Sequence, residues 1–309
     1  MESNATMTEL EAASALLKLG RGAEAEAMAL HVLEAEPQSA HAWFLLGVAR
    51  HQQLRPEAAL AAMEQALAFD PGLDDTRQAR ATLLLGLKRP HAALAEIEAL
   101  LDRHPGEARR HVDAAIVLEE LRDETAALRR YDAALKLAPR DFRALLNRAA
   151  LLIRLGRYEE ALLDNLALVK SYIGSAVALY NLGDNFLCLR RFNEAELTFK
   201  RVLVMDANHV QARMALGLAL SMLRRYAEAN AAFESARLID SNQVAAYFER
   251  AASAVGLPAG RSLETDPRLI FIHGALLEQG ICLWQRRDVL LEALRELLTD
   301  PAPPELHDR

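Results

Sequence analysis

Residues 40–73 read AHAWFLLGVARHQQLRPEAALAAMEQALAFDPGL, and this stretch carries the plan of the chain. Small residues stand at its positions 8 and 20 (Gly47 and Ala59), bulky ones around them (Trp43, Leu46, Met63), and Pro71 stands at position 32. Two short helices that cross closely need side chains no larger than alanine at the crossing point, because anything bigger forces the backbones apart. The surrounding bulky residues then fill the space as core.

The same pattern recurs in both directions along the chain. Ala25, Ala59, Ala93, Ala127, Ala161, Ala195 and Ala229 are spaced 34 residues apart with no insertion or deletion. Position 8 is small in every unit: Ala13, Gly47, Ala81, Ala115, Ala149, Gly183 and Gly217. Position 32 is Pro37, Pro71, Pro105 and Pro139 in the first four units, then Ile173, Ala207 and Ser241. Leu118 and Tyr131, then Leu182, Phe186 and Phe199, then Leu216, Leu220 and Phe233 are the matching core residues of later units. Turns within units are expected at Gly156-Arg157-Tyr158, Arg191-Phe192 and Arg225-Tyr226, and the position-32 proline is expected to stop the second helix by removing an amide donor. Repetition at a fixed period of this length marks stacked helical hairpins, each too small to bury its apolar faces alone.

These residues resemble the tetratricopeptide repeat family, with residues 40–73 as the best-matching unit and residues 6–243 covered by seven units. The resemblance implies an all-α fold, a right-handed α-α superhelical solenoid, in which first helices line a concave groove and second helices form the outside. The array is read as residues 1–254, including the first helix of an eighth unit at 244–254. Gly256-Leu257-Pro258-Ala259-Gly260 then breaks the pattern, giving a linker at 255–265. Capping or junction helices are expected at 266–300, followed by a Pro-rich tail at 301–309.

Composition agrees with this reading and narrows function. The 309 residues are 52% hydrophobic and 26% charged, which supports a large folded body, and aromatics are only 6%. A net charge of -7 with no concentrated basic face argues against nucleic acid as partner. Arginine far outnumbers lysine, which is read as compositional bias. Cys188 and Cys282 are too few and too far apart for a disulfide framework, pointing to a reducing, cytoplasmic setting. No signal peptide and no run of 18 apolar residues are seen, so no membrane partner is expected.

The sequence lacks the grammar of a catalytic site, and no cofactor is implied. Gly20-Arg21-Gly22 follows no strand and is read as a turn. Neither a phosphate loop, nor a nucleophile elbow, nor a zinc-binding helix motif occurs. His111 stands at position 4, where the second unit has Trp43, and is assigned to packing rather than metal binding. Cys188 is read as a lone packing thiol.

Positions 2, 5, 6, 9, 12 and 13 of each first helix are expected to face the groove, because positions 4, 7, 8 and 11 form the apolar stripe. The partner-binding residues so assigned are Arg143, Asn147, Arg154, Tyr180, Asn181, Asp184, Gln211, Met214 and Met222, joined by Leu146, Cys188, Leu218 and Ser221. Asn147 and Asn181 are one period apart and can donate and accept toward the main chain of an extended peptide; alternatively both cap or bridge neighbouring helices. Position 5 never holds lysine, so a clamp for a C-terminal carboxylate is not expected. The partner is therefore a protein or extended peptide, with homodimerisation left open.

A second resemblance lies further on. Cys282-Leu283-Trp284, Arg286-Arg287 and the Leu-rich run to Leu298 resemble the junction at which bacterial relatives of the protein O-linked N-acetylglucosamine transferase pass from repeats into catalytic domains. It implies, as the alternative reading, an acceptor-recognition part of a glycosyltransferase whose catalytic part is absent from this chain.

Overall fold

A computed structural model of the chain describes residues 4–245. The expected linker, junction helices, tail and most of the eighth unit lie outside the described residues. Every described element is a helix, and the chain divides into two compact units, Met1–Asp141 and Phe142–Arg309.

In the first unit the helices pair as α1 (Asn4–Lys18) with α2 (Gly22–Ala35), α3 (Ala40–Gln52) with α4 (Pro56–Phe69), α5 (Asp74–Gly86) with α6 (Pro90–Arg103), and α7 (Ala108–Glu120) with α8 (Glu124–Leu137). In the second, α9 (Phe142–Arg154) pairs with α10 (Tyr158–Ser171), α11 (Ala176–Cys188) with α12 (Phe192–Met205), and α13 (Val210–Met222) with α14 (Tyr226–Ile239). From α3 onward each first helix covers positions 1–13 of its repeat, and every second helix covers positions 17–30.

The crossing point explains this register. A Cβ on Gly47 would lie 2.8 Å from Met63 Cγ, and one on Gly217 would lie 2.7 Å from Phe233 Cε1. In the repeats with glycine at position 8, the missing side chain therefore answers a large residue at position 24 on the second helix. Between the helices, position 15 has positive φ in all seven repeats: Gly20, Leu54, Lys88, Arg122, Gly156, Arg190 and Arg224. Five of these are not glycine, so the turn holds side chains in a region they disfavour.

Second helices end at position 30 in repeats with and without proline at position 32, which corrects the expectation that proline stops them. The chain is turned by local hydrogen bonds instead: Asp70 Oδ1 accepts from the Gly72 amide (2.7 Å), Asp206 Oδ1 from the Asn208 amide (3.0 Å), and Gly174 takes φ +86. Position 4 then locks the turn between repeats. Trp43 Nε1 donates to Pro37 O (2.9 Å), His111 Nε2 to Pro105 O (3.0 Å), Arg77 to Pro71 O (3.4 Å) and Arg213 Nε to Ala207 O (3.1 Å). His111 thus does the task of Trp43, with an N–H donor as its qualification.

The arginines are structural ties rather than compositional filler. Glu26 accepts from Arg50, Gln53 and Arg55 across the α2–α3 boundary, Glu96 binds Arg77 and Arg80, and Arg148 Nε meets buried Asp164 at 2.8 Å. At the turns Arg157–Glu160, Arg191–Glu194 and Arg225–Glu228 repeat one exposed pairing, which solvent screens and which adds little to stability.

Candidate functional site

All nine assigned partner residues fall in the second unit, on its first helices α9, α11 and α13, where α11 touches both neighbours. These helices expose what their paired second helices do not cover. Arg143, Arg154 and Gln211 are exposed, and Asn147, Tyr180, Asn181, Asp184 and Met222 are half-buried. Val177, at position 2 between Arg143 and Gln211, is also exposed and completes that row, although sequence reading did not name it.

Met214 is the exception. It is 1% exposed and packs with Val210, Ala236 and Val244, so it belongs to the core and not to the face. Of the accompanying residues, Leu218 and Ser221 are likewise buried, with Ser221 Oγ donating to Gly217 O at 2.9 Å. Cys188 is buried and is not a free thiol, correcting its reading as a lone one.

The polar groups of the face are arranged in repeat register. Asn147 and Asn181 both stand at position 6, and neither side chain has a hydrogen-bond partner among the described residues. The reading in which they cap or bridge helices therefore has no bond to support it. One turn beyond Asn181, Asp184 has its Oδ1 shielded from solvent and unbonded, and burial pushes its carboxyl up to about 7. At neutral pH it both accepts and donates. The Tyr180 ring stacks on His209 (5.3 Å between centroids, 17°) and tilts against Phe199 (5.8 Å). Burial, and then the Asp184 charge, raise the Tyr180 phenol, keeping it protonated as a donor.

Further polar groups are sealed beneath the face. Asn185 Nδ2 donates to Tyr158 O (3.1 Å), and Asn165 occupies position 24, the seat of Phe199 and Phe233, with neither amide atom bonded. Among the described residues no helix is long and apolar enough to cross a membrane.

Repeated helical hairpins in fixed 34-residue register define an all-α helical-repeat protein. The tetratricopeptide repeat profile matches residues 10–74, 112–176 and 180–252, and the chain belongs to that family. Its members typically act through contacts with other proteins. No curated protein matches the chain. Among solved structures, a tetratricopeptide repeat protein from Parabacteroides merdae is similar at 18% identity and TM-score 0.60, over 78% of this chain and 95% of that one. The C-terminal part of a repeat protein from Cytophaga hutchinsonii is similar at 12% identity and TM-score 0.62, over 75% and 96%. Cut9, in its hetero-tetramer with Hcn1, is similar at 12% identity and TM-score 0.55, over 77% and 47%.

Proposed function

We propose that the chain is a scaffold that holds an extended polypeptide along the first helices of its second unit. The observation that carries this reading is the pair Asn147 and Asn181: two half-buried amides at one repeat position, without partners of their own. An asparagine amide supplies both a donor and an acceptor, which matches the alternating C=O and N–H of an extended main chain. Arg143 and Gln211 on one side and Asp184 on the other supply side-chain selectivity, and Tyr180 offers a flat apolar edge. That Cut9 assembles with Hcn1 on a similar fold is in keeping with this use.

The test begins with peptides selected from a random displayed library against the full chain. The double variant Asn147→Ala/Asn181→Ala should weaken the selected peptide on the order of ten-fold, from two hydrogen bonds of about 0.5–1.5 kcal/mol each. Its circular dichroism should be unchanged. Equal affinity in the double variant removes the reading.

The resemblance of Cys282-Leu283-Trp284, Arg286-Arg287 and the Leu-rich run to Leu298 to a repeat-to-catalytic junction supports the second reading, in which the repeats present an acceptor protein to a sugar-nucleotide-dependent glycosyltransferase domain. Sequencing the coding region past the codon for Arg309 decides it: a catalytic domain in frame supports it, and a stop codon ends it.

A further inference from the structure

In every second helix positions 20, 24 and 27 are buried in the hairpin, so positions 18, 22, 25 and 29 form a crest on the opposite side. In the first unit the crests hold alanine, polar and charged side chains, with Leu30 the one large aliphatic residue. In the second unit they hold Leu163, Leu166, Leu197, Val204 and Leu238, which are between 46% and 87% exposed. Helices α10 and α12 both pack on α11, so their crests are neighbours. These side chains make an apolar patch on the order of several hundred Å², more than monomeric proteins ordinarily leave open. With its charged rim it approaches the ~800 Å² that each partner brings to a standard interface.

The crest of α10 indicates what covers it. It reads Glu159, Leu163, Leu166, Lys170, with spacings of four, three and four residues. This order is its own complement when read backwards. A two-fold axis passing between residues 164 and 165 lays Leu163 on Leu166 of a second copy and Glu159 on its Lys170. All four side chains are exposed, and neither charge has an ion-pair partner among the described residues. The helix dipole favours an acid in the first turn and a base in the last, but it asks for no leucines between them. A lipid surface would select a basic rim, whereas this crest carries one charge of each sign.

We propose that the chain forms a symmetric dimer in which α10 packs antiparallel on α10 of a second copy, with α12 beside it against its own counterpart. On α12, Leu197 then lies against the aliphatic stem of Lys200, whose ammonium is held by Glu196 at 2.6 Å. The crests point away from the first helices, so the first-helix face stays open in both copies and the contact does not depend on it.

Sedimentation of the intact chain across the micromolar range tests this, with circular dichroism of each variant as the check of folding. A dimer is expected, and Leu163→Glu should weaken it by about ten-fold or more. Glu159→Lys or Lys170→Glu alone sets like charges opposite each other twice per dimer and should weaken it by about ten-fold. Both changes in one chain, or the two single variants mixed, bring opposite charges back together and should restore it. The double change is also the least favourable for the helix dipole, so restoration separates pairing between copies from an effect on α10 alone. A chain that stays monomeric overturns the proposal. So does a dimer that the single charge changes leave intact, or one that neither the double change nor the mixture restores.

Discussion

A Cβ added to Gly183 would lie 2.6 Å from Cε1 of Phe199, whose ring is fully buried in the core of the second unit. That contact is closer than side chains tolerate, and the ring is enclosed on all sides and cannot swing away. Helix α11 and helix α12 are therefore as close as they are because residue 183 has no side chain.

Gly183→Ala consequently sets two effects against each other. Alanine gains about 1 kcal/mol in a helix, whereas overpacking costs about 1–3 kcal/mol. Packing wins against a fully buried ring, and a lower midpoint in urea denaturation is expected, with a net loss of up to about 2 kcal/mol in stability. Gly86, in helix α5, has nothing within 4 Å of the place a Cβ would take and isolates the propensity effect. Gly86→Ala should raise stability by up to about 1 kcal/mol. Equal effects at the two sites would refute the crossing-point account.

The turn at position 15 gives a second pair of opposite signs. Leu54 has φ 58 and is 88% exposed, so it bears left-handed strain and packs against little. The strain is about 1–2 kcal/mol, and glycine returns part of the gain through the freedom of the unfolded chain. Leu54→Gly is expected to raise the melting temperature, by about 0.5–1 kcal/mol in stability. Gly156 has φ 72, and Gly156→Ala should lower it by about 1 kcal/mol.

Asn165 is 0% exposed with both amide atoms unbonded, at a position where five of the six other repeats place Met63, Ile97, Tyr131, Phe199 or Phe233 and the first places Ala29. A buried unbonded amide costs about 1–3 kcal/mol. Leucine has nearly the same branched shape, so Asn165→Leu should stabilise the second unit by about 1–3 kcal/mol in thermal and urea melts. A destabilised variant would show that the amide is satisfied after all, for example by water.

Most of the fold was legible because one period fixed it: position 8 against position 20 located both helices of each repeat, and Ala25 through Ala229 set the register. The turn residue was not legible, since leucine, lysine and arginine stand at position 15 without any preference for the conformation they adopt. Nor was the lock at position 4, where tryptophan, arginine and histidine share only an N–H donor at the right reach. On the candidate face, helical geometry was enough to place Arg143, Asn147, Arg154, Asn181 and Gln211 at the surface. It failed for Met214, Leu218 and Cys188, which are buried, Met214 against Val244 as well as against Val210 and Ala236 of its own hairpin.

Asp184 provides the pH test. Its carboxyl ionises at about 7 in the folded chain, against about 3.9 for an unfolded aspartate. The folded state thus holds the proton more tightly, so this group's contribution is fully present below about 4 and is lost as pH rises through about 7. Carboxylates such as Glu26 and Glu196 act in the other direction and at lower pH: burial's upward push is outweighed there by hydrogen bonds from Arg50 and Gln53, or from Lys200 and Arg225. The difference between the chain and its Asp184→Asn variant isolates the one group. Across about pH 4 to 7.5 the chain should lose urea stability relative to the variant, with the difference levelling off above the folded ionisation range. A constant difference over that interval would mean that Asp184 ionises in the ordinary range and that its carboxyl is solvated.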